Sequence, residues 1–207
     1  TGILFNLAPQ EFVSCMPNPD KCGGTGGCQG AIVDLAFEYA IEHGGIVSEY
    51  QMGYSSYYGD NGNCTIHPED SAFGLRGGGG GGPDPDGISG GVANIEDYAN
   101  IPSNDYLSLM NAVAKTGPVA ISVAASPWKS YESGVFQMEG GYTEDNLDVN
   151  HAVVLVGYGT DGGKDYWSIK NSWGASWGEK GYIRLIHGKD ECGLADSASQ
   201  PTGVKSM

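Results

Sequence analysis

Apolar residues recur along this chain with two different periods, and the period changes about halfway. Ile32, Leu35, Ala36 and Tyr39 stand at i, i+3, i+4 and i+7. That spacing predicts an amphipathic helix over Ala31–His43, stopped by Gly44-Gly45. Tyr106, Leu109, Met110, Val113 and Ala114 share one face in the same way. They predict a second helix over Ser103–Ala114, with Ser103 as its N-cap. Beyond Gly117-Pro118 the period falls to two, and Val119, Ile121 and Val123 alternate as in a strand. Ala152–Val156 is apolar at every position, which predicts a strand buried on both faces. Tyr166–Lys170 returns as its partner, with a turn signal at Asp161-Gly162-Gly163.

Between these elements the pattern dissolves. Cys22 to Gly30 is a glycine-dense turn, and residues 46–64 form an irregular loop carrying Tyr50, Tyr54, Tyr57 and Tyr58. From 67 to 91 the composition shifts to Gly, Pro and Asp, including the run Gly77–Gly82. Such a segment cannot bury apolar surface, and it reads as a flexible, solvated insertion.

The 207 residues suffice for one large domain or two small ones with sizeable cores. Twenty-five acidic against ten basic residues leave a net charge of −15. Nothing basic is clustered to track phosphates, so nucleic acid is not an expected partner. No apolar run reaches membrane-spanning length. Asn63-Cys64-Thr65 matches a glycosylation sequon and fits a secretory route. Five cysteines are an odd number, so at least one is free or pairs outside this chain.

Chemistry concentrates in the predicted hairpin. Its two strands can bring His151 beside Asn171, although twenty positions separate them. An imidazole that moves protons near neutral pH needs a fixed tautomer, which a side-chain amide oxygen on one ring nitrogen supplies. Trp173 is an apolar plate able to shield that bond. The same residues equally suit a core hairpin with a buried histidine. Cys28, near the start of the first predicted helix, is a second candidate for chemistry, because a helix N-terminus can lower a thiol pKa.

The wider string narrows the choice. His151-Ala152-Val153, Gly157-Tyr158-Gly159, Lys170-Asn171-Ser172-Trp173-Gly174, Trp177-Gly178-Glu179 and Gly181-Tyr182-Ile183-Arg184 closely resemble the papain family of cysteine peptidases. The resemblance implies an α+β fold: a helical left domain over about residues 1–100, and a right domain built on an antiparallel β-barrel over about 101–207, with a cleft between. It implies that His151 is the acid/base, Asn171 its orienter and Trp173 the shield. Gly30 and Ala31 match the wall that pairs with an extended peptide. Ile32, Val33, Ser122, Val149 and Ser197 match the pocket for the second residue upstream of the cut. Asn150 replaces the acidic residue often found before the histidine. The resemblance also pairs Cys15 with Cys64 in a disulfide, and requires no metal or cofactor.

Two departures stand out. The family nucleophile is a Cys followed by Trp at the start of a central helix, and Cys-Trp occurs nowhere in these residues. The expectation is that an upstream companion segment carries it, together with that helix and the expected disulfide partner of Cys28. Gln137–Asn150 also lacks the cysteine that the resemblance would pair with Cys192, and the pairing of Cys22, Cys28 and Cys192 stays open. Two functional classes follow. One is a cysteine-type endopeptidase of lysosomal, vacuolar or extracellular location that acts on peptides or proteins, this chain alone being inactive. The other is a non-catalytic homologue that binds peptide or serves structurally in an assembly.

Overall fold

The structure is a computed structural model that describes residues 4–66, 91–138, 148–187 and 191–206. The glycine-rich insertion, with His67 and Gly77–Gly82, lies outside them up to residue 90. The chain divides into two compact units, one of residues 1–98 with 201–207 and the other of residues 99–200.

The first unit holds helices α1 (Pro9–Cys15) and α2 (Val33–Glu42) and a two-stranded ribbon of β1 (Ala93–Asn94) and β9 (Lys205–Ser206). Pro9 occupies the first turn of α1, where its missing N–H costs nothing. Helix α2 buries Tyr39 and Ala40 against Ile46, with Phe12 edge-on to Tyr39 at 5.9 Å. Cys15 and Cys64 form a disulfide that closes 49 residues of chain and pins the tyrosine-rich loop. Two polar clusters lie inside. Gln10 donates from Nε2 to the Ser56 hydroxyl at 2.7 Å, and its Oε1 accepts from the Ser55 and Ser56 amides. Glu11 is fully buried, accepting from the Val47 amide at 2.9 Å and the Tyr39 hydroxyl at 3.3 Å.

The second unit is built on a sheet. Its strands are β2 (Asp97–Ile101), β3 (Val119–Val123), β4 (Val135–Phe136), β5 (His151–Asp161), β6 (Lys164–Lys170), β7 (Tyr182–Ile186) and β8 (Ala198–Thr202). They run in the order β2-β8-β3-β5-β6-β7-β4, with β2 and β8 continuing across the unit boundary. The pairs β3–β5, β3–β8, β5–β6 and β6–β7 are antiparallel, and the short β4 joins β7 in parallel. Helix α3 (Tyr106–Lys115) covers one face, burying Leu109 and Val113 over Val119, Ile121, Leu155, Trp167, Ile169, Ile183 and Leu185. This is the α+β class expected, but the described sheet is open and not a closed barrel. Closure needs consistent strand tilt and register stagger all round, and the order ends on β2 at one side and the two-residue β4 at the other.

Three local expectations are corrected. Strand β5 is not buried on both faces: Val153 and Leu155 are buried, whereas Val154 and Val156 are 37% and 36% exposed. An antiparallel sheet needs only one covered face, and an apolar run does not say whether its second face is covered. Helix α3 starts at Tyr106 with Asp105 as N-cap, not Ser103. Asp105 accepts from the Ser108 amide at 3.0 Å, while Asn104 at φ 59° breaks any helix reaching back to Ser103. Helix α2 starts at Val33, so Cys28 does not sit at its N-terminus; the thiol is exposed in a separate 3-10 turn, Gly27–Gln29.

Candidate active site

The β5–β6 hairpin positions the candidate residues. His151 opens β5 opposite Val123 of β3, and Asn171 follows the last residue of β6. The ladder holds Val154 opposite Lys170, so the start of one strand meets the end of the other. The two side chains meet there, with His151 Nε2 2.8 Å from Asn171 Oδ1. Asn171 is 8% exposed and its backbone amide is fixed to the Gly181 carbonyl at 2.9 Å.

The contact determines a tautomer. Asn171 Oδ1 also accepts from the Ser172 amide at 2.8 Å, which fixes which end of the side-chain amide is oxygen. An oxygen can only accept, so the proton of a neutral His151 resides on Nε2. Nδ1 is left as the nitrogen that can exchange a proton with another group. The cost falls on Asn171 Nδ2, a buried donor with no partner among the described residues.

Trp173 covers one side of this pair, its ring centroid 5.3 Å from that of His151 and tilted by 33°. It is itself braced. Trp177 stands edge-on to it at 5.1 Å, donates from Nε1 to the Trp128 carbonyl at 3.2 Å, and stacks on the Trp128 ring at 6.5 Å. Trp128 in turn donates from Nε1 to the buried Cys192 sulfur at 3.3 Å. Cys192 is thus fully buried in the core beside the Trp128 indole. The turn that follows Trp177 requires glycine: a Cβ on Gly178, at φ +56°, would lie 2.6 Å from the Tyr182 carbonyl oxygen. Trp177 is the supporting residue that residue-by-residue reading passes over, and its signal is the repeated Trp-Gly pair at a spacing of four.

The remaining candidates fall into two groups. In the second unit, the Ser122 amide donates to the Ser197 carbonyl at 3.1 Å, and Val149 is exposed two residues before His151. Asn150 is committed to structure: its Oδ1 accepts from the Ala125 amide at 3.2 Å, and its Nδ2 donates to Ser126 Oγ and Asp148 Oδ2. In the first unit, Gly30 at φ 91° uses both backbone groups within its own turn. Its amide donates to the Gly27 carbonyl and its carbonyl accepts from the Gly26 amide, which limits what it offers an added strand. Ala31 is half-buried and leads into the exposed Ile32 and half-buried Val33 at the start of α2. Among the described residues no cluster of His, Cys, Asp and Glu could hold a metal ion.

A family model described as papain family cysteine protease matches residues 1–202 of the chain. The oryzain beta chain of Oryza sativa subsp. japonica is 36% identical over 208 residues, covering 98% of this chain and 38% of that protein. A cathepsin L-like peptidase of Aedes aegypti is 35% identical, covering 97% of this chain and 52% of the other. The chain therefore spans about half or less of the length of these curated relatives. Among solved structures, the bromelain protease from Ananas comosus in complex with the E64 inhibitor matches at TM-score 0.73 and 33% identity, covering 98% and 80% of the two chains. The digestive procathepsin L2 proteinase of Tenebrio molitor larval midgut matches at TM-score 0.77 and 32% identity, covering 97% and 54%.

Proposed function

The chain belongs to the papain family of cysteine proteases, and from that premise we propose that it is the His/Asn-bearing part of a cysteine-type endopeptidase whose thiol nucleophile is carried by an upstream segment. The observation that supports this reading best is the His151–Asn171 contact, with its tautomer set and Trp173 packed over it. A chain free of catalytic duty has no need to leave Nδ1 available while burying an unsatisfied amide beside it. The Cys-Trp pair of the family occurs nowhere in the sequence, which supports a thiol supplied from outside these 207 residues.

In the proposed reaction His151 Nδ1 takes the thiol proton, giving a thiolate and an imidazolium. The thiolate attacks the peptide carbonyl, and the imidazolium protonates the departing amine. Water then cleaves the thioester with the imidazole as base, returning thiol and carboxylic acid. Asn171 holds the ring throughout, and Trp173 keeps water from that hydrogen bond. The residues matched to the second-position pocket are neutral and mostly apolar, so an apolar side chain is the expected preference there. A lysosomal, vacuolar or extracellular setting suits the Cys15–Cys64 disulfide, since such bonds persist in oxidising compartments. Among the described residues no helix is long and apolar enough to cross a membrane.

The test is reconstitution. The chain is assayed alone and with an upstream segment bearing Cys-Trp, on a fluorogenic peptide with an apolar residue in the second position. Cleavage only in the mixture, abolished by thiol alkylation and by His151→Ala, is the expected result. Cleavage by the chain alone, blocked by alkylation at Cys28, would overturn the assignment. Peptide binding without cleavage in the mixture would favour a non-catalytic homologue.

A further inference from the structure

A second site lies at the far end of the same hairpin. A cavity of about 280 Å³ opens where β5 and β6 approach their turn, lined by Met110, Tyr158, Thr160, Asp165, Tyr166 and His187 among others. Pocket volumes for drug-sized ligands begin near ~300 Å³, so this one suits a single side chain or small amine. The register explains the lining. Tyr158 pairs with Trp167 and Thr160 with Asp165, so these four side chains alternate onto the sheet face that α3 covers. Helix α3 supplies Met110 there.

The cavity holds an unanswered polar atom. His187 Nε2 is buried and has no hydrogen-bond partner among the described residues. The His187 ring is held in place, 4.5 Å from Trp167 and 5.8 Å from Tyr106, and its backbone amide donates to the Asp165 carbonyl at 2.8 Å. Rotation to find water elsewhere would break this packing. A buried nitrogen without a partner is costly, and a bound group or an ordered water removes the cost.

Charge selects between ligands. Asp165 accepts from the Thr160 hydroxyl at 2.6 Å through one oxygen and keeps its carboxylate at the rim. The chain as a whole carries −15. Arg184, over the Tyr166 ring at 5.3 Å, is already paired with Glu179 and Asp161. Tyrosine faces attract cations, and an anion would meet Asp165. We propose that this cavity is a binding site for a small organic cation, the ammonium of a lysine side chain or of a free alkylamine. The ammonium donates to Asp165 and to His187 Nε2, which selects the tautomer protonated on Nδ1, while its alkyl stem lies along Tyr158 and Met110. The site stands on residues other than His151, Asn171 and Trp173 and does not depend on the peptidase reading.

The experiment titrates the 207-residue chain with four probes: acetyl-lysine methylamide, butylammonium, acetyl-norleucine methylamide and acetyl-glutamate methylamide. Binding is followed by NMR at the Trp167 indole N–H and the His187 ring. Saturable, mutually competitive binding of the two cations, with norleucine and glutamate at least about tenfold weaker, is the expected result, because a charge-assisted hydrogen bond is worth that much. Tighter binding of the lysine amide identifies a peptide-borne occupant, and tighter binding of butylammonium a free amine. Asp165→Asn and His187→Leu should each weaken cation binding by at least about tenfold, with circular dichroism confirming that the variants fold. Norleucine binding as well as lysine, no binding by any probe, or full affinity in a folded Asp165→Asn variant would overturn the proposal.

Discussion

His151 and Asn171 are joined by one hydrogen bond of 2.8 Å whose direction is set by a third group, the amide of Ser172. The bond therefore does more than hold two side chains together. It decides which imidazole nitrogen is available. In the reconstituted peptidase, Asn171→Ala should lower kcat/KM on the order of tenfold to a hundredfold while His151→Ala lowers it by on the order of 10²–10⁴-fold or more. The split between the two constants separates positioning from packing: loss of the Asn171 oxygen should lower kcat with little change in KM, because the ring is no longer held for proton transfer. An Asn171→Ala enzyme with unchanged kcat would mean that the contact is structural.

The Cys15–Cys64 bridge predicts a stability effect in the first unit. Closing a loop of 49 residues restricts the unfolded chain, so a Cys64→Ser variant should lose about 2–4 kcal/mol. Urea unfolding followed at the tyrosines of the pinned loop measures it. An unchanged midpoint would show that the loop is held by Gln10 and Ser56 without the bridge.

Glu11 predicts a pH dependence with a definite sign. Burial pushes its carboxyl above the usual 4.5, against the opposing hydrogen bonds from Val47 and Tyr39. The folded state therefore holds this proton more tightly than the unfolded state. Its contribution to stability is fully present below pH 4.5 and is lost as pH rises through the raised value. Glu11→Gln can keep both contacts without a charge, so it should flatten that decline and stabilise the chain at neutral pH. Chemical denaturation across pH 4 to 8 provides the comparison.

Arg184 is the remaining test of a single residue. Its Nε and Nη2 grip Glu179 at 2.8 and 2.6 Å, and Nη1 reaches Asp161. Glu179 is held below the ordinary carboxylate range, chiefly by these Arg184 hydrogen bonds. Lysine cannot reproduce a two-pronged contact. Arg184→Lys should therefore cost about 1 kcal/mol, as for a partly exposed charge network, and lower Tm by a few degrees.

How far these relationships could be read from the residues depends on their span along the chain. The β5–β6 hairpin was legible because an apolar run, a glycine turn and a second run stand side by side, and the His151–Asn171 contact follows from that register. The N-cap of α3 was not, because Ser103 and Asp105 are both good caps and only the backbone of Asn104 decides between them. Helix α1 carries a start signal in Pro9, but seven residues are too few for a period to emerge. The partners of Glu11 lie 28 and 36 positions away, and no local pattern announces a pairing of that kind. Exposure of Val154 and Val156 is not written in the residues for a similar reason, since it depends on what covers the sheet and not on the strand itself.

The perpendicular approach of Trp173 and Trp177 has an optical consequence. Two indoles 5.1 Å apart with planes at 76° couple their electronic transitions and should give a signed pair of ultraviolet circular-dichroism bands. One of the two rings lies over His151. The chromophore pair is thus an intrinsic gauge of whether the lid above the imidazole is seated, and it can be read without substrate, label or turnover.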